Sequence, residues 1–465
     1  MNHVVNVLAF GTRPRCSLAG LRVKGNGLKN NCLVNHLTEA AMRKPETLSY
    51  YRATAHSAPE RPRLQGSVAA DVCVIGGGYT GLSAAIELAR NGLKTVVLEA
   101  GPVGHGASGR NGGQVCTGYS PGMGKFERAL GADAARQAFD VAEEAKTLLV
   151  SRVQKYNIQC ELTWGYVHGA TRKGHVPELS THRDELLRYG YGKTRLLELD
   201  EMRAKFGTQN FLAGLLDEGA GHLHPLNYCL GLARAAEAEG AVIHEHSAVT
   251  RIDDGAKVAV HTADGVVTAR QVIMGCNAYL GNIAPTIASR VMPVASYMLA
   301  TEPLGADRAR SIIRDNEAGA DSNFVIDYFR LSADHRLLYG GACSYSGIEP
   351  SDIKAFMRAK MLRMFPQLAD VKIDYGWGGY IGITHNRLPD MNRVSKNVYY
   401  TQGYSGQGVV LSGMFGKMMA EAVMGDAGRF DLFSRIKHFP FPGGVLKRPA
   451  LAVGMLYYRI RDLLA

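Results

Sequence analysis

The chain has no CxxC pair, no acidic residue before Glu39, and no apolar run near the roughly 18 residues that a membrane span needs. Its eight cysteines, at 16, 32, 73, 116, 160, 229, 276 and 343, are scattered, several of them inside apolar runs. That scatter excludes a disulfide scaffold and a zinc-ribbon framework, and it reads as a reduced, cytoplasmic chain. Internal repeats and low-complexity tracts are absent too. Charged residues are 20% and hydrophobic residues 46% of the total, which excludes disorder over most of the length. With 465 residues the chain is too long for one core, so two or three domains are expected. The 54 glycines exceed ordinary usage, and many stand where helices are about to begin.

The net charge of +11 is concentrated at the ends: residues 1–65 carry +7, residues 435–465 carry +5, and the 369 residues between them carry −1. A nucleic-acid protein spreads its basic residues over a folded face, so no nucleic-acid partner is expected. The basic N-terminal flank lacks the apolar core of a secretory signal. Residues 1–45 are read as an unstructured extension, or as the product of an early start with Met42 opening the protein.

Asp71-Val-Cys-Val-Ile75 is a short β-branched run suited to a buried parallel strand. Gly76-Gly-Gly78-Tyr79-Thr80-Gly81 follows at once, then a helix over Leu82–Asn91 closed by Gly92. Lys94–Leu98 is a second strand ending at Glu99-Ala100. GxGxxG alone is weak, but a strand before it, a helix after it and an acid 23 residues past Gly76 make a dinucleotide-binding fingerprint. Gly76 allows the turn, Gly78 lets a pyrophosphate approach, and Gly81 lets helix and strand pack closely. The helix start offers N–H groups to phosphate, and Glu99 can accept from ribose hydroxyls.

Gly104-His-Gly-Ala-Ser108-Gly-Arg110-Asn111-Gly112-Gly113-Gln114 is a long glycine-rich loop that suits the extended dinucleotide FAD better than NAD. The motif GASGRNGGQ at 106–114 resembles the D-amino-acid-oxidase/glycine-oxidase superfamily of FAD-dependent amine oxidoreductases, and within it the γ-glutamylputrescine oxidase branch. Gly221-His-Leu-His-Pro-Leu-Asn227, Ser247–Ile252 and Gly275-Cys-Asn-Ala-Tyr279 support that branch. The resemblance runs from about Leu48 to the C-terminus. It implies an α/β fold: a Rossmann-like FAD-binding domain of the glutathione-reductase type and a separate, mainly antiparallel β-sheet substrate domain. It also implies adenine contact at the Val249 backbone and cofactor proximity at Gly275.

Further helices are predicted over Asp133–Tyr156, Asn227–Glu239 and Ile353–Phe365, and strands over Ala241–Glu245, Lys257–Thr262 and Val266–Gly275, with a turn at Asp264-Gly265. Val294–Thr301, Asn323–Tyr328 and Arg336–Tyr339 are predicted strands of the sheet that roofs the flavin. Tyr399-Tyr-Thr-Gln-Gly-Tyr404-Ser-Gly406-Gln407-Gly408-Val409 runs from strand through glycine turn into a helix ending at Met424, and resembles the family's C-terminal flavin motif. Its helix dipole would stabilise negative charge on the reduced ring. The FAD domain is expected to comprise 66–120, 219–290 and 372–435, and the substrate domain 121–218 and 291–371. Residues 436–465 form a tail, with a helix over Arg448–Leu464 packed on its own domain.

The implied reaction oxidises an amine C–N bond to an imine, which water converts to an aldehyde and ammonia. The amine must react neutral; an alkylamine pKa near 10.4 opposes this by about 4–5 kcal/mol at pH 7, which a desolvating aromatic pocket partly offsets. Tyr345, Trp377, Tyr380 and Tyr404 are the pocket candidates. His222 and His224 lack the further ligands a metal site would need, so no metal is expected. Cys116 and Cys343 are the thiols a covalent flavin link would use, and a non-covalent FAD is the reading adopted. The resemblance suggests γ-glutamylputrescine as substrate, in putrescine breakdown. The electron acceptor is O₂ or another species: Gly341–Ser346 lacks the lysine of sarcosine-oxidase-like enzymes, which keeps a dehydrogenase open. A D-amino acid, sarcosine, proline or pipecolate would call for an arginine near the reacting carbon. A flavin-binding electron carrier with no amine substrate is the remaining alternative.

Overall fold

Val72 and Val74 point into one core cluster, and Cys73 and Ile75 into another. A strand buried on both faces explains why this segment reads as an unbroken apolar run rather than an alternating one. The computed structural model describes residues 48–323, 325–344 and 349–441, without the side chains of 342–344. The expectations for residues 1–45, for Tyr345 and for the helix over Arg448–Leu464 lie outside these residues.

Strand Gly66–Ile75 is central in an eight-stranded sheet ordered 390–393, 398–402, 265–274, 66–75, 95–98, 242–244. The five strands from 398–402 to 242–244 are parallel, with Ile75 in register with both Leu98 and Met274. The meander 251–253, 258–261, 265–274 joins this sheet by antiparallel pairing. Tyr79–Arg90, Pro225–Ala238 and Gly408–Val423 cover one face, and Ala132–Lys155 packs on Gly408–Val423. Each agrees with its predicted span to within a few residues.

The second sheet has nine strands, in the order 373–384, 291–301, 337–344, 328–331, 318–321, 163–170, 213–222, 114–115, with 194–197 paired to 213–222. Its pairing is antiparallel except between 318–321 and 163–170. One face packs on helix Ile353–Met364 through Tyr297, Leu299, Phe329 and Met357. The other face carries Met298, Leu338, Trp377 and Tyr328 toward the first core. Sheet and helix assignments thus give the α/β fold with a mainly antiparallel second sheet.

Some elements differ from the sequence expectation. Ile373–Thr384 was grouped with the FAD-binding segments, yet it hydrogen-bonds along Val291–Thr301 in the second sheet. The strand expected over 323–328 starts at Tyr328 and runs to Leu331, because Asp321 gathers the Asn323 and Asp327 backbone N–H groups and folds the preceding residues into a loop. A short helix, Tyr50–Thr54, capped by Ser49, is an element for which no helix was expected. Tyr51 is fully buried against Trp377 and His224.

Candidate active site

The fingerprint turn is built by close backbone approach. Gly76 has φ +107°, which an L-side chain adopts only with strain. A Cβ on Gly81 would overlap Gly76 O and lie 3.1 Å from Val74 Cγ1, so a glycine there lets the helix rest directly on the strand. A Cβ on Gly78 would meet Ser108 Oγ at 2.8 Å, and that hydroxyl accepts from Tyr79 N at 3.1 Å. Thr80 and Tyr79 are buried; the Tyr79 hydroxyl donates to Pro225 O. Glu99 accepts from Gly77 N at 2.6 Å and Gly101 N at 2.9 Å, and burial pushes its carboxyl above the usual range. Ser247 N donates to Glu99 O, which brings 246–249 alongside the second strand, with Val249 packed on the core of the sheet's other face. Ala100 follows Glu99 at the exposed strand end. Gly275 closes the floor: a Cβ there would meet Gly81 N at 3.1 Å.

The glycine-rich loop lies under the second sheet. Asn111 Nδ2 donates to Ala107 O and its Oδ1 accepts from Gly113 N, folding the loop on itself. Arg110 Nε donates to His105 O and one terminal nitrogen to Gly378 O. Gly112 and Gly113 are packed against Tyr328 and Leu223 O, where Cβ atoms would collide. Gln114 begins a strand paired with His222, and its buried Nε2 has no partner.

The C-terminal glycine turn faces the fingerprint. Helix Gly408–Val423 crosses Tyr79–Arg90 so closely that a Cβ on Gly416 would overlap Thr80 O. Tyr404 is buried, and its hydroxyl shares a 2.8 Å hydrogen bond with Thr80 Oγ1; burial raises its pKa to about 12. Gly406 has φ +107° and open space around it. Gln407 stands at the N-cap position without a side-chain cap bond, its buried Oε1 has no partner, and Val409 is buried in the first turn.

The pocket candidates separate here. Trp377 has no accessible surface, and its indole N–H is spent on Arg110 O at 3.0 Å, so it braces the loop and offers nothing to a ligand. Tyr404 likewise ties the two helix starts together. Tyr380 is half-buried; its backbone N donates to the Tyr279 hydroxyl and the two rings meet edge to face. The sequence reading missed Asn277, which accepts from Gly403 N at 2.9 Å with φ +47°, and Tyr279; both lie in the Gly275–Tyr279 segment already singled out. It also missed Tyr328 on the loop-facing side of the second sheet.

His222 and His224 are buried, and desolvation lowers both to about 3. His222 Nε2 bonds Asn316 O, while His224 Nδ1 accepts from Asn227 N and caps a helix. No group of metal-binding side chains occurs among the described residues. Burial pushes the Cys116 thiol up to about 12. No helix among the described residues is long and apolar enough to cross a membrane.

Residues 71–422 match the DAO family, described as FAD dependent oxidoreductase. The chain belongs to this family. A DAO-family chain takes FAD as its cofactor. The Gly76–Gly81 cradle, the partnerless Gln407 Oε1 and the Glu99 carboxyl at a strand end fit that group. Among curated relatives, the Escherichia coli (strain K12) protein "Gamma-glutamylputrescine oxidoreductase" is 42% identical over 90% of this chain and 98% of its own length. "Probable oxidoreductase OrdL" of Haemophilus influenzae is 39% identical over 89% and 97%. Glycine oxidase from Geobacillus kaustophilus has the same fold, with a TM-score of 0.67 and 19% identity over 80% of this chain and all of that one.

Proposed function

We propose that this DAO-family protein oxidises the free primary amine of γ-glutamylputrescine, with O₂ as acceptor, in the cytoplasmic breakdown of putrescine. The likeness to the E. coli relative along nearly its whole length carries this reading. Glu99 would hold the ribose hydroxyls, the helix start at Gly78–Gly81 the pyrophosphate, and the Gly406–Val409 turn the far end of the cofactor. Bound FAD supplies a two-electron acceptor for the hydrogen on the amine-bearing carbon.

This chain's residues supply position and field. The loop Gly106–Gln114 meets the second sheet at Tyr328, whose ring lies against Gly112, and the amine would lie beside this aromatic contact. Exclusion of water there favours the neutral amine, the form whose lone pair can assist loss of the adjacent hydrogen. Two arginines reach this region, and both bond protein acceptors. Arg330 is fully buried and donates to Gly112 O at 2.9 Å, Leu331 O at 3.0 Å and Tyr51 Oη at 3.3 Å. Arg110 is held by backbone carbonyls as above. An amino-acid substrate with a carboxylate on the oxidised carbon needs a cation aimed at that carboxylate, and both guanidiniums are turned to backbone carbonyls instead. A γ-glutamylated diamine keeps its carboxylate at the far end and does not.

The test is anaerobic bleaching of the flavin near 450 nm with a panel of amines. Rapid bleaching by γ-glutamylputrescine, and not by D-alanine, sarcosine or proline, is expected; the reverse order overturns the substrate reading. Peroxide release on admitting air checks the acceptor.

A further inference from the structure

We propose that His168, in strand 163–170 of the second sheet, accepts a hydrogen bond at Nε2 from the far polar head of an elongated amine substrate and so sets the length of substrate preferred. This rests on the substrate reading above and adds a recognition residue to it. The argument begins with strand register. Met298 pairs with Gly340, Gly340 with Tyr328, Tyr328 with Ala320, Ala320 with His168, and His168 with Leu215. Residues paired across a sheet share a face, so these six form one row. Met298 packs into the first core cluster, and Tyr328 stands against Gly112, where a Cβ would be 2.6 Å from its ring; the row therefore lies on the face that meets the cofactor loop.

Beyond His168 the row continues through Leu215 to its partner Leu196, and both pack with Leu179 of helix Val176–Arg188, which covers the sheet there. His168 is half-buried, and its Nε2 is sealed from solvent with no partner. An orphaned buried nitrogen costs about 1–3 kcal/mol unless a ligand satisfies it. Desolvation lowers the ring to about 4, so it is neutral near pH 7 and can accept a hydrogen bond. Two strand spacings place His168 roughly 10 Å along the sheet from Tyr328. Eight bonds separate the reacting carbon of γ-glutamylputrescine from its α-amino carbon, an extended reach of roughly 10 Å at backbone-like rise per bond. A short alkylamine ends before His168.

The test compares γ-glutamylputrescine with n-butylamine on FAD-loaded wild type, His168→Leu and His168→Gln. With His168→Leu, KM for γ-glutamylputrescine should rise about tenfold with kcat within about twofold, while kcat/KM for butylamine stays unchanged. His168→Gln, which keeps an acceptor, should restore most of the loss. Should His168→Leu fail to load FAD, His168→Phe, which also lacks an acceptor, carries the same comparison. Equal losses on both amines, or none on either, overturn the assignment. A wild type that bleaches with neither amine defeats the substrate reading itself.

Discussion

Helix Tyr79–Arg90 is clamped between two backbone contacts, and breaking either should release FAD. On one side a Cβ at Gly81 overlaps Gly76 O and comes within 3.1 Å of Gly76 C and Val74 Cγ1. On the other, a Cβ at Gly416 overlaps Thr80 O and lies 2.9 Å from Ser83 Cβ. Neither obstacle is a flexible side-chain end, so the helix itself must retreat. It cannot retreat from one contact without driving into the other. Overpacking of this kind costs typically about 1–3 kcal/mol, and the upper end applies where backbone must move. We expect Gly81→Ala and Gly416→Ala each to lose about 3 kcal/mol of stability and to bind FAD at least about a hundredfold more weakly, since the phosphate-facing N–H groups shift with the helix. Gly413→Ala is the control: its Cβ would meet Arg152 at 3.6 Å, an ordinary contact, and a helix-interior alanine should be neutral or stabilise by about 0.5–1 kcal/mol. Absorbance at 450 nm per protein and urea unfolding of the apoprotein read the two effects separately. If Gly416→Ala and Gly413→Ala prove alike in both, the clamp reasoning is wrong.

Two other outcomes follow from buried charge. Arg152 and Glu87 form a 2.9 Å ion pair with both side chains almost wholly buried, and Arg152 also donates to Ser83 Oγ. Glu87 also accepts from Arg90 at 2.5 Å, so Arg152→Leu leaves the carboxylate one partner and should cost less than the about 3–5 kcal/mol of a fully stranded buried charge; Arg152→Leu with Glu87→Leu should recover part of that loss in urea melts, and a double variant as weak as the single would count against the pair. His222 and His224 titrate near 3 folded and about 6.5 unfolded, so the unfolded chain binds more protons between those values and stability is lost as pH falls through that window. His222→Gln should flatten the slope of stability against pH between 6.5 and 5 by about 1 kcal/mol per unit, and an unchanged slope would show that His222 is not held neutral.

The nucleotide-binding half was legible because its signals are local. A strand, a glycine turn, a helix and an acid stand within the 29 residues from Asp71 to Glu99, and Gly81 answers a contact made inside that stretch. The same holds for the D-G hairpin at 264–265 and the turn into helix Gly408–Val423. The pocket aromatics were not legible. Trp377 and Tyr380 are three residues apart on one strand, yet they join different core clusters, and register alone decides which reaches the cofactor loop. Tyr51 lies more than three hundred residues from Trp377, and nothing near Tyr51 in the chain announces that contact.

Sequence alone pointed to a dinucleotide and to the turn proposed to hold it, because phosphate recognition by a helix start needs only neighbouring residues. Tertiary structure decided what stands over the cofactor. The second sheet is assembled from nine strands spread over residues 114–384, and its pairing brings Tyr328, Arg330 and His168 to one side. That choice of face depends on long-range hydrogen-bond register, in which a slip of one residue reverses every side chain.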